Sequence, residues 1–186
     1  MQQIVKNPQS KILKENYQYP KHKKQILAEL LVEQGEFCAY CEDRISSAMA
    51  VDVEHFNPYL KGTAQDGYEN WFAVSHQINM HKGTKNAKSR WDAHQPLANL
   101  TDATLNNRIL YDSGFYYAEG SQDVEIKNLL NYLLINSLNL PNERDNYIKK
   151  LKALFDNVQE LEDYLREFPS DIRFPRAIEH EFGIKV

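Results

Sequence analysis

Long apolar runs are missing from this chain. Its longest unbroken hydrophobic stretch is five residues, 37–41, so the sequence holds no helix that could span a membrane. The opening residues, MQQIVKNPQS, lack the apolar core of a secretory signal. Cysteine is nearly absent, with two in 186 residues, which excludes a disulfide framework. Their CxxC spacing, without an export signal, points to metal or redox chemistry in a reducing compartment, and hence to the cytoplasm. A thioredoxin-like role lacks the βαβ context it needs. Internal repeats and low-complexity linkers are missing as well, so the chain reads as a single domain. Its length suffices to bury roughly 70% of the unfolded surface without covalent staples. Hydrophobic residues at 42% and charged residues at 26% exclude intrinsic disorder.

The net charge of −4 argues at first against a nucleic-acid partner. Its distribution argues otherwise. Residues 1–30 carry +4, residues 31–80 carry −6, and residues 81–90 return to +4; the segments 91–150 and 151–186 carry −3 each. Two basic stretches therefore bracket an acidic one, which is the balance a bound divalent cation would neutralise. No recognition helix and no extended basic face is evident, so target choice is expected to come from a partner.

Hydrophobic spacing predicts a helix over 23–34, with Gly35 as its stop. FCAYCEDR (37–44) is too short for a helix and has the shape of a knuckle. Val51 and Val53 alternate with Asp52 and Glu54, a strand pattern closed by Asn57-Pro58. Residues 61–70 suit a loop; from Trp71 to about Lys85 the pattern is ambiguous, and a short helix is expected from about Ser75. Residues 107–120 are expected to form a hairpin around Asp112-Ser113-Gly114. Apolar positions 129, 130, 133, 134 and 138 trace one helix face. Positions 147 through 165 trace a second, longer one, with Pro141 at its start and Pro169 and Pro175 limiting its end.

The chemistry concentrates in residues 38–82: Cys38-x-x-Cys41, Glu54-His55-Phe56 with Pro58, Asn70-Trp71, and Asn79-x-x-Lys82. A metal-dependent phosphodiesterase needs hard oxygen ligands for a cation such as Mg²⁺. It also needs a neutral imidazole to deprotonate water. Glu54 and His55 are neighbours on the strand and point to opposite faces. Asn79 offers a second oxygen ligand, and Lys82, three residues on, shares its helix face. Trp71 reads as a core anchor. His22, His94 and His180 have no motif context.

This order of residues resembles the HNH endonucleases. The resemblance implies a ββ-metal-α finger in which His55 is the general base and Glu54 and Asn79 bind Mg²⁺ or another divalent cation. Asn70 would brace the loop holding His55, and Lys82 would neutralise charge on the phosphate. A narrower likeness runs through residues 1–6 as a strand-like start, the helix ending in Glu33-Gln34, CAYCE, EHFNP, YENW, and LLINSLNL followed by Arg144. It is similar to the small HNH nuclease subunit of Septu-type bacterial anti-phage defence, also found beside some retrons. The partner there is an ABC-type ATPase with a coiled-coil insertion. The implied fold is α+β: an HNH finger (36–90) after an N-terminal helical segment (1–35). A hairpin segment (91–120) and a C-terminal helical layer (121–186), part of which would dock the ATPase, complete a mainly helical single domain. The implied function is cleavage of nucleic-acid phosphodiesters, DNA first and RNA as the alternative.

One departure from the family pattern matters. The second CxxC that completes a Cys₄ zinc site in many HNH proteins is replaced here by Ser75 and Ile78. A structural zinc takes four ligands, and Ile78 can supply none. Cys38 and Cys41 are then either a degenerate zinc knuckle completed by His76 or His81, or, the favoured reading, buried thiols. A different functional class stays open beside the nuclease: a catalytically weak binding or regulatory subunit docked on the ATPase. The completeness of the Glu54, His55, Asn70, Asn79 and Lys82 set favours the nuclease.

Overall fold

Two helices open the computed structural model, which describes residues 1–83 and 86–186: α1 (Lys11–Lys14) and α2 (Lys23–Glu33). Ser10 caps α1, its hydroxyl accepting the Ile12 N–H. Past the end of α2, Gly35 adopts φ +61, the left-handed geometry expected of a helix stop. Residues 1–6 do not form the strand-like start that the family resemblance implied. They run as coil anchored by isolated contacts, among them the Gln2 N–H to Glu42, the Gln3 N–H to Asn106 Oδ1 at 2.8 Å, the Ile4 N–H to the Leu100 carbonyl at 2.8 Å and the Lys6 ammonium to the Trp71 carbonyl.

Strand β1 (Val51–His55) pairs antiparallel with β2 (Trp71–Ser75), in a register from Val51 opposite Ser75 to His55 opposite Trp71. β2 leads without a break into helix α3 (His76–Lys82). Both α2 and α3 contact the strand pair. Val53, Trp71 and Ala73 form a small core with Ile26 and Leu30 of α2. Phe72 and Val74 join the larger core of the molecule. β2 is therefore buried throughout, and a strand buried on both faces shows no polar alternation. That is why its sequence did not announce a strand. α3 runs from His76 to Lys82, close to the start expected at Ser75, and Lys85, at the end of the ambiguous stretch, lies outside the described residues.

Helices α4 (Ala87–Ala93) and α5 (Leu105–Arg108) lead to the hairpin β3 (Ile109–Asp112) and β4 (Phe115–Ala118). The hairpin turns at Ser113-Gly114, where both residues have positive φ, +48 and +90, the arrangement that matches strand twist in a two-residue loop. Four further helices follow: α6 (Val124–Leu133), α7 (Leu140–Leu154), α8 (Val158–Glu167) and α9 (Pro175–Phe182). The long helix expected through 147–165 is in fact two. Phe155 is extended, and the Asn157 side chain accepts the Glu160 N–H at 3.0 Å, starting α8 afresh. The face expected to run through 138 stops at Leu133, because Leu134 turns left-handed and Leu138 is exposed. Asn136 in that turn bonds both backbone groups of Tyr116, locking it to β4. The result is a mixed α+β domain with two small antiparallel hairpins. No helix among the described residues is long and apolar enough to cross a membrane.

Fully buried Arg144 of α7 holds the hairpin turn. Its guanidinium donates to the Gly114 carbonyl (2.7 Å) and the Ile135 carbonyl (2.7 Å) and lies 4.7 Å from the centre of the Tyr116 ring. A Cβ on Gly114 would stand 2.1 Å from the Pro141 carbonyl oxygen. Gly114→Ala is therefore expected to lower stability by about 3 kcal/mol or more, from backbone strain and overpacking together. Urea unfolding of the variant beside the parent chain measures this directly.

Candidate active site

β1 presents its side chains alternately. Asp52 and Glu54 face α3, while Val53 and His55 face the side of α2, where His55 packs against Tyr19 and Trp71. His55 is also the last residue of the strand, and the chain then swings through Pro58. A cleft of about 350 Å³ is consequently lined by Glu54, His55, Asn79 and Lys82 together, with Lys61 and Lys88 among the residues at its walls. The opposite facing of the acid and the histidine, expected from the strand, does not keep them apart.

Each of these groups has a partner. The Lys82 side chain is 3% exposed; its ammonium pairs with Glu54, donates to the Tyr40 hydroxyl at 3.2 Å, and lies 4.6 Å from the Tyr132 ring centre. Burial lowers its affinity for a proton, against the opposing pull of Glu54. Asn79 donates its amide N–H to Asp52 Oδ2 at 3.0 Å, and His76 meets the same oxygen at 2.7 Å. Burial tends to raise the Asp52 carboxyl, but the bonds from Asn79 and His76 prevail and hold it below the ordinary range. His76 is thus committed to Asp52 on the surface and is not beside the cysteines. His81 is exposed.

His55 is buried, and burial holds its imidazole below the ordinary pKa, with Asp66 opposing. Burial thus favours its uncharged form, the form that can act as a base. Its Nε2 lies 3.1 Å from Asp66 Oδ2, out of line for a straight hydrogen bond, and has no other partner among the described residues. Asp66 itself is held by the Trp71 indole N–H (2.7 Å) and the Gly62 N–H (3.0 Å). Trp71, expected only as a core anchor, is thus also a donor into the loop. Asn70 braces the same loop: its Oδ1 accepts the Asn57 N–H at 2.7 Å, and its Nδ2 donates to the Asn57 carbonyl at 3.1 Å.

Cys38 and Cys41 are buried free thiols in the main core. The Ser75 N–H points to Cys38 Sγ at 3.4 Å, so the residue standing in place of a second cysteine meets the first through its backbone. The hydrogen bond with Cys38 and burial both push the Cys41 thiol up. Two thiols fall short of a four-ligand zinc set. Among the described residues no cluster of three or more His, Cys, Asp or Glu side chains is arranged to hold a metal ion.

The basic stretch at 81–90 is not a uniform patch. Lys82 is sealed against Glu54, and Arg90 donates to the Asn131 and Tyr132 carbonyls at the end of α6. Lys88 is exposed on the cleft wall, 4.9 Å from the Tyr59 ring centre, while Lys85 lies outside the described residues. Sequence reasoning missed Asp52, Asp66, Tyr40 and Tyr132. Asp52 was within reach, since it sits two residues from Glu54 on the same strand face; nothing local marks the other three. Against known proteins, the chain matches no family model, no curated protein and no solved structure.

Removing the loop brace tests how the site is held. Asn70→Ala leaves the backbone of Asn57 without its partners, and a loss of about 2 kcal/mol is expected in denaturant unfolding.

Proposed function

We propose that this chain is a metal-dependent endonuclease subunit of the HNH type, cleaving nucleic-acid phosphodiester bonds, with DNA the first candidate and RNA the alternative. The observation that carries it is the convergence of Glu54, His55, Asn79 and Lys82 on one cleft in a strand–strand–helix unit. Glu54 and Asn79 are the residues that would hold a divalent cation such as Mg²⁺. A carboxylate and an amide oxygen are the hard donors it takes, with water and phosphate completing its shell. Lys82 engages Oε1 of Glu54, and no hydrogen bond among the described residues engages Asn79 Oδ1. When bound, the cation would stabilise the charge that grows on the phosphate.

The chain's own residues supply the rest. His55, neutral through burial, takes a proton from water as the water oxygen bonds to phosphorus. The P–O ester bond then breaks, and the departing oxygen takes a proton from solvent. Asn70 keeps the loop beyond His55 in place. Lys82 keeps the Glu54 side chain against the cleft wall, and Lys61 and Lys88 add positive charge at its rim. With a net charge of −4, the chain is expected to grip a duplex weakly near physiological salt. An ABC-type ATPase partner, implied by the family resemblance, would supply that grip and the choice of target in an anti-phage complex.

One observation favours the alternative of a catalytically weak docking subunit: the Lys82 ammonium already occupies the carboxylate meant for the cation. Nicking of supercoiled plasmid, by the chain alone and with its partner, separates the two. Cleavage with Mg²⁺ that EDTA abolishes, and that falls on the order of 10²–10⁴-fold in His55→Ala, is expected for the nuclease. Activity indifferent to EDTA, or unchanged in His55→Ala, overturns it.

A further inference from the structure

A general base acts through one ring nitrogen, and whichever group meets the other nitrogen decides which one carries the proton. In His55 the two nitrogens are differently placed. Nε2 is sealed from solvent and, among the described residues, faces only the Asp66 carboxylate, at 3.1 Å. Nδ1 makes no hydrogen bond to the described residues, on a side chain that lines the cleft. An ionised carboxylate offers acceptors and no donor, so the favourable arrangement places the imidazole proton on Nε2. The lone pair then remains on Nδ1.

We propose that Asp66 is a positioning residue: it holds His55 in the Nε2–H tautomer, leaving Nδ1 to act on whatever enters the cleft. Asp66 is itself over-determined for this task. Its side chain is 7% exposed, and the Trp71 indole N–H and the Gly62 N–H fix its two oxygens. Trp71 sits opposite His55 in the strand register. One residue of β2 thus carries the acid that orients the residue paired with it on β1. The loose alignment at Nε2 fits a base awaiting substrate, since such bonds tighten when the reacting complex forms. Asn70 donates only distantly to Asp66, at 3.5 Å, and serves the loop backbone instead. The acid and the amide therefore divide the work: Asn70 positions the loop, and Asp66 positions the ring.

The tautomer is a property of the folded chain, whereas its catalytic consequence rests on the nuclease reading above. The test accordingly has two arms. In the first, the full chain is labelled with ¹⁵N-histidine and its ring nitrogens are observed by long-range ¹H–¹⁵N NMR at pH about 8, above the ordinary imidazole range. The His55 signals are assigned by their loss in His55→Ala. The proton is expected on Nε2 in the parent chain and redistributed toward Nδ1 in Asp66→Asn, whose amide can also donate. Asp66→Glu, which keeps a carboxylate, is expected to restore Nε2 protonation. A parent chain protonated on Nδ1, or an Asp66→Asn chain with an unchanged tautomer, overturns the proposal. The parent measurement needs no variant, so it decides the matter even if Asp66→Asn fails to fold.

The second arm is cleavage. Asp66→Asn is expected to lose about 10²–10⁴-fold in kcat, as an imidazole held in the wrong tautomer does, with KM changed less than about threefold. Unchanged kcat in a preparation whose His55→Ala control is inactive overturns the role of Asp66 while leaving the nuclease reading intact. A parent chain that cleaves nothing overturns the nuclease reading, and the NMR arm still decides Asp66.

Discussion

A carboxylate taken out of water must be met by donors, and in this protein the one at Glu42 gathers four separate parts of the chain. Glu42 is buried and sits in the left-handed region at φ +61. Its side chain accepts the Gln2 N–H and the Tyr116 hydroxyl, and its own carbonyl accepts the N–H of Phe174, just before α9. The N-terminal segment, the cysteine knuckle, the hairpin and the last helix are thereby brought to one point. Tyr116 in turn carries the buried guanidinium of Arg144, which fixes the hairpin turn and the end of the α6 segment. The knuckle so anchored also positions Tyr40, which meets the ammonium of Lys82. The wall of the cleft is thus tied to the far side of the core through a short series of polar contacts.

The same rule organises the site itself. Every charge that β1 carries is matched: Asp52 by His76 and Asn79, Glu54 by Lys82, with His55 facing Asp66. Breaking one partner of a buried pair strands the other in low dielectric, which costs more than the pair itself contributes. Such an arrangement holds side chains in place more than it stabilises the fold. Burial, against the pull of Asp66, favours the uncharged imidazole, the form that can accept a proton.

Charge counted along the sequence overstates what faces a ligand. The +4 of residues 81–90 includes one cation sealed in an ion pair and another spent on helix carbonyls. In the N-terminal stretch, Lys6 is turned inward onto the Trp71 carbonyl and lies near the Tyr68 and Phe72 rings. Long cationic side chains can bury their stems and direct their heads at internal acceptors. A run of lysines in sequence is not a basic surface until those choices are made.

What the sequence by itself determined is local. The alternation of Val51 and Val53 with Asp52 and Glu54 made the strand; Gly35 ended α2; Ser113-Gly114 turned the hairpin; and the cluster Glu54, His55, Asn79 and Lys82 was legible from spacing. Phe155 and Leu138 misled, because apolar residues at helical intervals do not reveal a break made by Asn157 or by a left-handed Leu134. β2 hid for the opposite reason, being buried on both faces. Only the tertiary structure decided that Asp66 stands against His55, that Arg144 and Glu42 lie in the core, and that Lys82 is sealed rather than free. Those choices depend on contacts between residues apart in sequence, 11 positions for Asp66 and His55 and 74 for Tyr116 and Glu42. A pairing of that range is set by packing, and no periodicity in the sequence encodes it.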